Sequence, residues 1–252
     1  MTKELKGKKA LITGGSRGIG KAIALKLGRL GADVIINYAR NEDAANRTAS
    51  DLRELGVRAE IFQANVGDPK ALDDLAAFTE STFHGVDILI HNAALGAFKP
   101  VHKLRLNQWD LSLDVNAKAL YLLSQKLLPS FEKRGGGAIV TLSSLGAHRF
   151  IPNYGAIGIS KSALETLVRY LAVELAPKNI AVNCVSGGLI ETDAMKLFPD
   201  YEKFKDEVVK RTPAGRIGTP EDLAEIVAFL TLPQSKWICG QTLIADGGLS
   251  LI

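Results

Sequence analysis

Thr13-Gly14-Gly15-Ser16-Arg17-Gly18-Ile19-Gly20-Lys21 closes the first apolar run of the chain and leads directly into a helical segment, Ala22-Ile23-Ala24-Leu25. Glycines at such a junction let backbone N–H groups close on an anion at a helix N-terminus, where the dipole is positive. Three motifs share this spelling. Read as a P-loop, the stretch from Gly15 to Lys21 lacks the hydroxyl that would hold magnesium, because Ala22 stands there. Read as an esterase nucleophile elbow at Ser16, it needs an earlier strand and loop to complete an oxyanion hole, and too few residues precede it. Gly14, Gly18 and Gly20 form instead a respaced dinucleotide fingerprint, which agrees with the position, the context and the chemistry of the loop.

Outward from the loop, short β-branched runs alternate with segments of helical period. Strands are expected at about residues 8–13, 32–37, 58–63, 87–91, 137–142, 180–185 and 241–245. Seven strands with helices between them predict one α/β domain over residues 1–252, a Rossmann-like doubly wound parallel sheet with helices on both faces. Binding residues then belong at the carboxyl edge of the sheet. The connection from about 187 to 220 is long, contains a helical stretch from Tyr201 to Arg211, and reads as a lid.

The second strand is expected to choose the dinucleotide. A carboxylate at its carboxyl end would hold a ribose 2′-hydroxyl, but the chain offers Asn37-Tyr38-Ala39-Arg40. Arg40 and Arg17 can converge on a 2′-phosphate, which favours NADPH. Composition excludes other classes. The 252 residues are 46% hydrophobic and 23% charged, as in a globular protein rather than a disordered one. The net charge of +4 is scattered rather than clustered, against nucleic-acid binding. Cys184 and Cys239 stand in no metal-ligand spacing, so no metal is expected. A charged segment from Met1 to Lys9, with no signal-peptide core and no membrane-length apolar run elsewhere, leads us to expect a cytoplasmic protein.

These residues and several further on resemble the short-chain dehydrogenase/reductase superfamily over nearly the whole chain. The resemblance rests on Thr13-Gly14 with Gly18 and Gly20, Asn92-Ala93-Ala94, Asn116 within Asp114-Val115-Asn116-Ala117, Ser143-Ser144, Tyr154 with a following lysine, Ile190 to Thr192, and Asp246-Gly247-Gly248. It implies a catalytic set of Tyr154, Lys161, Ser144 and Asn116. It also implies that Asn65 and Val66 flank an adenine, that Asn92, Ala93 and Ala94 line the ribose region, and that Gly187, Ile190 and Thr192 lie at the nicotinamide. Ser16, Arg17 and Ile19 would join the glycines at the phosphates. Lys161 would bond the nicotinamide ribose and lower the pKa of Tyr154, since a phenol near 10 needs a nearby cation to ionise at neutral pH.

One departure from the superfamily carries the functional expectation. Ordinary members place the lysine four residues after the tyrosine; here position 158 is Gly158 and the lysine is Lys161. Four residues turn a helix by about 400° and seven by about 700°, so the directions differ by only about 60°, while three more residues add about 4.5 Å of rise. With the lysine on the ribose, the phenol would sit farther from the nicotinamide. Reduction of a carbonyl puts hydride and proton on adjacent atoms; reduction of a trans-2-enoyl thioester puts hydride on the β-carbon while charge develops on the more distant thioester oxygen. The spacing, the stretch Leu145 to Tyr154, Ser144 in place of a second tyrosine, and Gly187-Gly188 resemble the NADPH-dependent type III branch of bacterial enoyl-acyl-carrier-protein reductases. That resemblance implies an acyl-carrier-protein thioester substrate, fatty acid synthesis and a homotetramer. A carbonyl reductase or alcohol dehydrogenase, such as a 3-oxoacyl-carrier-protein reductase, and a non-catalytic NADPH-binding protein remain as alternatives. Leu95, Phe98, Met195, Leu197 and Phe198 could wall an acyl pocket or pack as ordinary core. His91 and Cys184 read as interior residues, and His148 and Arg149 as surface ones.

Overall fold

The sheet has strand order β3-β2-β1-β4-β5-β6-β7, with every pair parallel. The strands are β1 Lys9–Thr13, β2 Asp33–Tyr38, β3 Ala59–Gln63, β4 Ile88–His91, β5 Gly137–Ser144, β6 Ile180–Gly187 and β7 Thr242–Ala245. The computed structural model describes residues 3–193, 195 and 200–252. Strands β1, β2 and β4 are buried nearly throughout, as continuous apolar runs must be when helices cover both faces. All seven strands lie where the sequence places them. Strands β5 and β6 run farther, to Ser144 and Gly187, because their last residues still pair with each other.

Helices α1 Gly18–Arg29, α2 Glu42–Glu54 and α8 Pro220–Phe229 cover one face; α3 Pro69–Phe83, α5 Ala119–Lys133 and α6 Gly155–Leu175 cover the other. The short helix α4 Leu106–Leu113 precedes α5. Caps set several boundaries. The side chain of Asn41 accepts from Ala44 N at the start of α2, and Thr219 and Asp222 bond reciprocally around Pro220 at the start of α8. One core contains Ile12, Ile36, Leu27 and Val227, and the other contains Leu89, Phe131, Leu164 and Val182.

The long connection carries helix α7, Tyr201–Arg211. Val208 of α7 and Ile217 beyond it pack with Leu145, just past β5, and with Leu249 near the last residues. The segment expected as a lid therefore shares a small core with the loop that follows Ser144. Among the described residues no helix is long and apolar enough to cross a membrane, and no group of three or more His, Cys, Asp or Glu is placed to hold a metal ion.

Candidate active site

Backbone geometry at the first strand–helix junction shows why glycines stand there. Gly14 and Gly18 have φ of +64° and +54°, which side chains disfavour. At Gly20 a Cβ would lie 2.3 Å from the Gly14 carbonyl oxygen and 2.6 Å from Asn92 Nδ2. The turn is thus folded tightly on itself and held from outside. Asn92 Nδ2 donates to the carbonyls of Thr13 and Gly14, both at 3.0 Å, and Thr48 donates to Ser16 O at 3.0 Å. No side chain caps α1, whose N-cap is Arg17, so its first N–H groups stay open to an anion. This cradle fits a dinucleotide pyrophosphate. Arg17 and Arg40 are both exposed, and neither forms an ion pair among the described residues.

Asn37, where a carboxylate would sit in some dinucleotide sites, is fully engaged. Its Oδ1 accepts from Gly14 N at 3.3 Å and its Nδ2 donates to Ala64 O at 2.9 Å, riveting the loop to β2 and β3. Asn65 is exposed and turns back on Gly67 N at 3.1 Å. Val66 packs in the core beside it and Ala94 is exposed past β4.

Below the loop lies a buried hydrogen-bond chain. Thr13 Oγ1 accepts from the backbone N–H groups of Asn92 and Ala93, each at 3.1 Å, so its own hydrogen is left for His91 Nδ1 at 3.2 Å. His91 Nε2 then donates to Asn116 O at 3.3 Å. Burial, with the nearby Lys161 charge, pushes the His91 pKa down to about 3, which keeps the ring neutral. Asn116 itself sits in a π-helical turn, Asp114–Lys118, between α4 and α5. Its side chain accepts from Leu95 N at 2.8 Å and donates to Leu95 O at 2.9 Å and Ser160 Oγ at 2.7 Å. Asn116 thereby ties the loop after β4 to α6.

Tyr154 is the N-cap of α6 and its carbonyl accepts from Gly158 N at 2.8 Å. Helical rise therefore extends to the tyrosine. Its phenol is buried near Ser144, and its ring lies 6.0 Å from that of Phe98. Ser144 Oγ accepts from Gly146 N at 3.4 Å. One expectation is corrected. Lys161 is 3% exposed and donates to Leu142 O at 2.7 Å, and the Tyr154 pKa is raised by burial rather than lowered by a cation. The phenol is thus held protonated. Lys161, the buried group, has its own pKa pushed down to about 8.

Gly158 explains where the lysine is not. A Cβ there would meet the Gly146 carbonyl oxygen at 2.5 Å. The loop after Ser144 lies along α6 and is fastened at successive turns: Gly146 against Gly158, Ala147 O accepting from Ser162 Oγ at 2.7 Å, and His148 Nε2 at 2.7 Å from Glu165. A side chain at 158 cannot enter without moving the strand end that carries Ser144. Glu165, buried at 2% exposure, was not visible as a site residue in the sequence; only its place four residues after Lys161 could have marked it.

At the far side, Ile190 bridges Gly218, and Thr192 Cγ2 lies over Gly18, 3.5 Å from where its Cβ would be. Gly187 ends β6, with Leu223 and Ile190 pressed on its open side. The structure thus brings the glycine turn and Thr192 together, and separately Tyr154 with Ser144 and Phe98. Leu197 and Phe198 lie outside the described residues.

Residues 14–250 match the family model described as "Enoyl-(Acyl carrier protein) reductase". The 1-cyclohexenylcarbonyl-CoA reductase of Streptomyces collinus is 39% identical, over 96% of this chain and 87% of its own. A 7alpha-hydroxysteroid dehydrogenase of Escherichia coli strain K12 is 37% identical over 97% of this chain and 94% of its own. A solved structure of a 7alpha-hydroxysteroid dehydrogenase with NADH and 7-oxo glycochenodeoxycholic acid superposes with TM-score 0.92 at 36% identity, covering 98% of this chain and 96% of that one.

Proposed function

The chain belongs to the short-chain dehydrogenase/reductase superfamily, and on that premise we propose that this oxidoreductase uses NADPH to reduce the trans-2 double bond of enoyl thioesters carried on an acyl-carrier protein, in fatty acid synthesis. The observation that carries this reading is the packing of the Gly146 carbonyl against Gly158, which shuts the usual lysine position and leaves Lys161 as the lysine of this helix. A relative named for reducing a cyclohexenylcarbonyl thioester, which is itself a conjugated enoyl thioester, supports the same chemistry.

The N–H groups at the start of α1, with Gly14, Ser16, Arg17, Gly18, Ile19 and Gly20, would hold the pyrophosphate. Arg17 and Arg40 would take the 2′-phosphate. Asn65 and Val66 would flank the adenine, Asn92, Ala93 and Ala94 the ribose region, Lys161 the nicotinamide ribose, and Gly187, Ile190 and Thr192 the nicotinamide. Bound NADPH supplies a hydride for the β-carbon.

The protein's own part is electrostatic. Tyr154, held protonated by burial and with Ser144 beside it, donates a hydrogen bond to the thioester oxygen where negative charge develops. Such a pre-aimed donor is worth about 3 kcal/mol of barrier. A proton and the hydride together complete the saturated thioester. An alcohol or ketone substrate is the second reading, favoured by the 7alpha-hydroxysteroid dehydrogenase relative. Parallel assays with crotonyl and acetoacetyl thioesters, each with NADPH and with NADH, separate the two: turnover of the enoyl thioester with NADPH supports the proposal, and turnover of the keto thioester alone overturns it. Tyr154→Phe is expected to lower kcat about a hundredfold while cofactor affinity stays within about twofold.

A further inference from the structure

The loops that follow β4 and β5 converge on the first turn of α6, where Tyr154 stands. From one side, the Phe98 ring lies 6.0 Å from that of Tyr154, and Val101 covers the open side of Gly155. From the other side, Gly146 lies against the phenol ring, where a Cβ would be 2.5 Å from Tyr154 Cδ1. Arg149 N closes the same turn on Leu145 O at 3.1 Å. Arg149 therefore stands on the turn that rests against the phenol ring.

Both loops are basic. Residues 92–109 carry Lys99, His102, Lys103 and Arg105, residues 145–154 carry His148 and Arg149, and neither stretch contains an Asp or Glu. His148 is matched by Glu165 at 2.7 Å. Arg149, which the sequence reads as a surface residue, is half-buried, and its Nη2 is buried with no hydrogen-bond partner among the described residues. The Thr141 and Ser186 hydroxyls share that condition, but only Arg149 Nη2 belongs to a charged group. A buried donor without an acceptor is costly, and proteins avoid it unless something else supplies the acceptor. The basic loops around it favour an anion in that role.

The place of the loops and the chemistry of the proposed substrate select the anion. The order β3-β2-β1-β4-β5 sets β5 apart from the β1–β2 crossover, where the start of α1, Arg17 and Arg40 are assigned to the phosphates of NADPH. An enoyl thioester on a phosphopantetheine arm has an apolar acyl end, neutral amides and one phosphodiester as its charge. Leu95, Val101 and Phe150 are exposed in the same two loops, Phe150 at 88%. Apolar and basic groups side by side suit an amphiphile of this kind. We infer that Arg149 is a substrate-binding residue whose guanidinium takes the phosphate of the phosphopantetheine arm, the group shared by acyl-carrier-protein and coenzyme A thioesters. Rotatable bonds in the arm let that phosphate reach a site set back from the phenol. This rests on the proposed reading of the substrate as an enoyl thioester.

The test compares two substrates that differ by the phosphate alone, crotonyl phosphopantetheine and crotonyl pantetheine, in steady-state assays of the full-length protein at saturating NADPH. The wild type is expected to favour the phosphorylated thioester by about tenfold or more in kcat/KM, chiefly through KM. Arg149→Met is expected to remove that preference, while crotonyl pantetheine turnover and the NADPH dissociation constant stay within about twofold. Because the buried nitrogen has no partner to lose, the variant should unfold at the same temperature as the wild type or higher. Equal losses on both substrates, weaker NADPH binding, or a lower unfolding temperature overturns the assignment, since each marks a structural or cofactor role. Crotonyl thioesters of coenzyme A and of acyl-carrier protein then separate the two sources of the phosphate. A loss with both supports the shared group; a loss confined to one overturns it, because the contact would be to the nucleotide or to the carrier's surface. If the wild type reduces no enoyl thioester, the proposed function fails, and calorimetric binding of butanoyl phosphopantetheine and butanoyl pantetheine still decides the role of Arg149. Tighter binding of the first, abolished by Arg149→Met, supports it, and equal binding overturns it.

Discussion

Replacing Gly158 by alanine tests how tightly the loop after Ser144 is pressed on α6. In an open helix the change would stabilise, because alanine is favoured over glycine by about 1 kcal/mol. Here the new Cβ would fall 2.5 Å from the Gly146 carbonyl oxygen and 3.3 Å from its carbon. Ordinary contact begins near 3.4 Å, so the loop must retreat by about 0.9 Å (3.4 − 2.5). Its retreat is opposed by the Ser162–Ala147 hydrogen bond and the His148–Glu165 contact, one and two turns along the helix. Overpacking against backbone costs about 1–3 kcal/mol, and the upper end applies where a pinned carbonyl must move. The net expectation is a loss of about 2 kcal/mol, which lowers the Tm by roughly 4–8 °C for a domain of this size. Ser144 moves with the loop, so kcat should fall about tenfold or more while NADPH affinity holds. Thermal unfolding by calorimetry, paired with steady-state kinetics, measures both. A Gly158→Ala protein as stable as the wild type or more so, with unchanged kcat, would refute the close packing and with it the reason for the displaced lysine.

Three further outcomes follow, two from buried groups and one from an exposed arginine. His91 has its pKa depressed to about 3 from 6.5 in the folded state, so the unfolded chain binds the extra proton between those values. Its contribution is fully present above about pH 6.5 and is lost as pH falls toward 3, at about 1.4 kcal/mol per unit; urea unfolding at pH 7 and pH 5 should show that loss, and His91→Gln should flatten it. Cys184, fully buried with its thiol raised to about 11, should resist iodoacetamide at pH 8 while the partly exposed Cys239 is modified, as peptide mass spectrometry can read. Arg40→Asp should weaken NADPH binding about tenfold or more and leave NADH binding the same or better, since it removes a phosphate partner and offers a ribose one; equal losses for both cofactors would count against the 2′-phosphate assignment.

The sheet was legible because its evidence is local and periodic: β-branched runs such as Leu11-Ile12 and Val34-Ile35-Ile36 alternate with helical segments, and the glycine turn marks the first crossover. Tyr154 and Ser144 were marked by the resemblance to the superfamily and Gly158 by the departure from its spacing, not by any local periodicity. What the sequence could not show depends on side-chain direction. Lys161 was expected to act on the tyrosine, but burial directs its amine to Leu142 O and leaves the phenol raised. Glu165 has helical spacing indistinguishable from an exposed salt-bridge residue; only the loop folded back over α6 turns it into a buried ligand of His148 and Ser143. Asn116 was marked only by the resemblance; its place in a π-helical turn and its bonds to Leu95 and Ser160 depend on the fold around it.

Isotopic labelling shows directly which carbon receives the hydride. NADPH deuterated at the transferable position is incubated with the protein and an equimolar mixture of crotonyl and acetoacetyl thioesters, and the products are located by NMR. Butanoyl thioester with deuterium on the β-carbon is expected, with acetoacetyl thioester recovered unchanged. Deuterium on the carbinol carbon of 3-hydroxybutanoyl thioester, with the crotonyl substrate untouched, would contradict the proposed function.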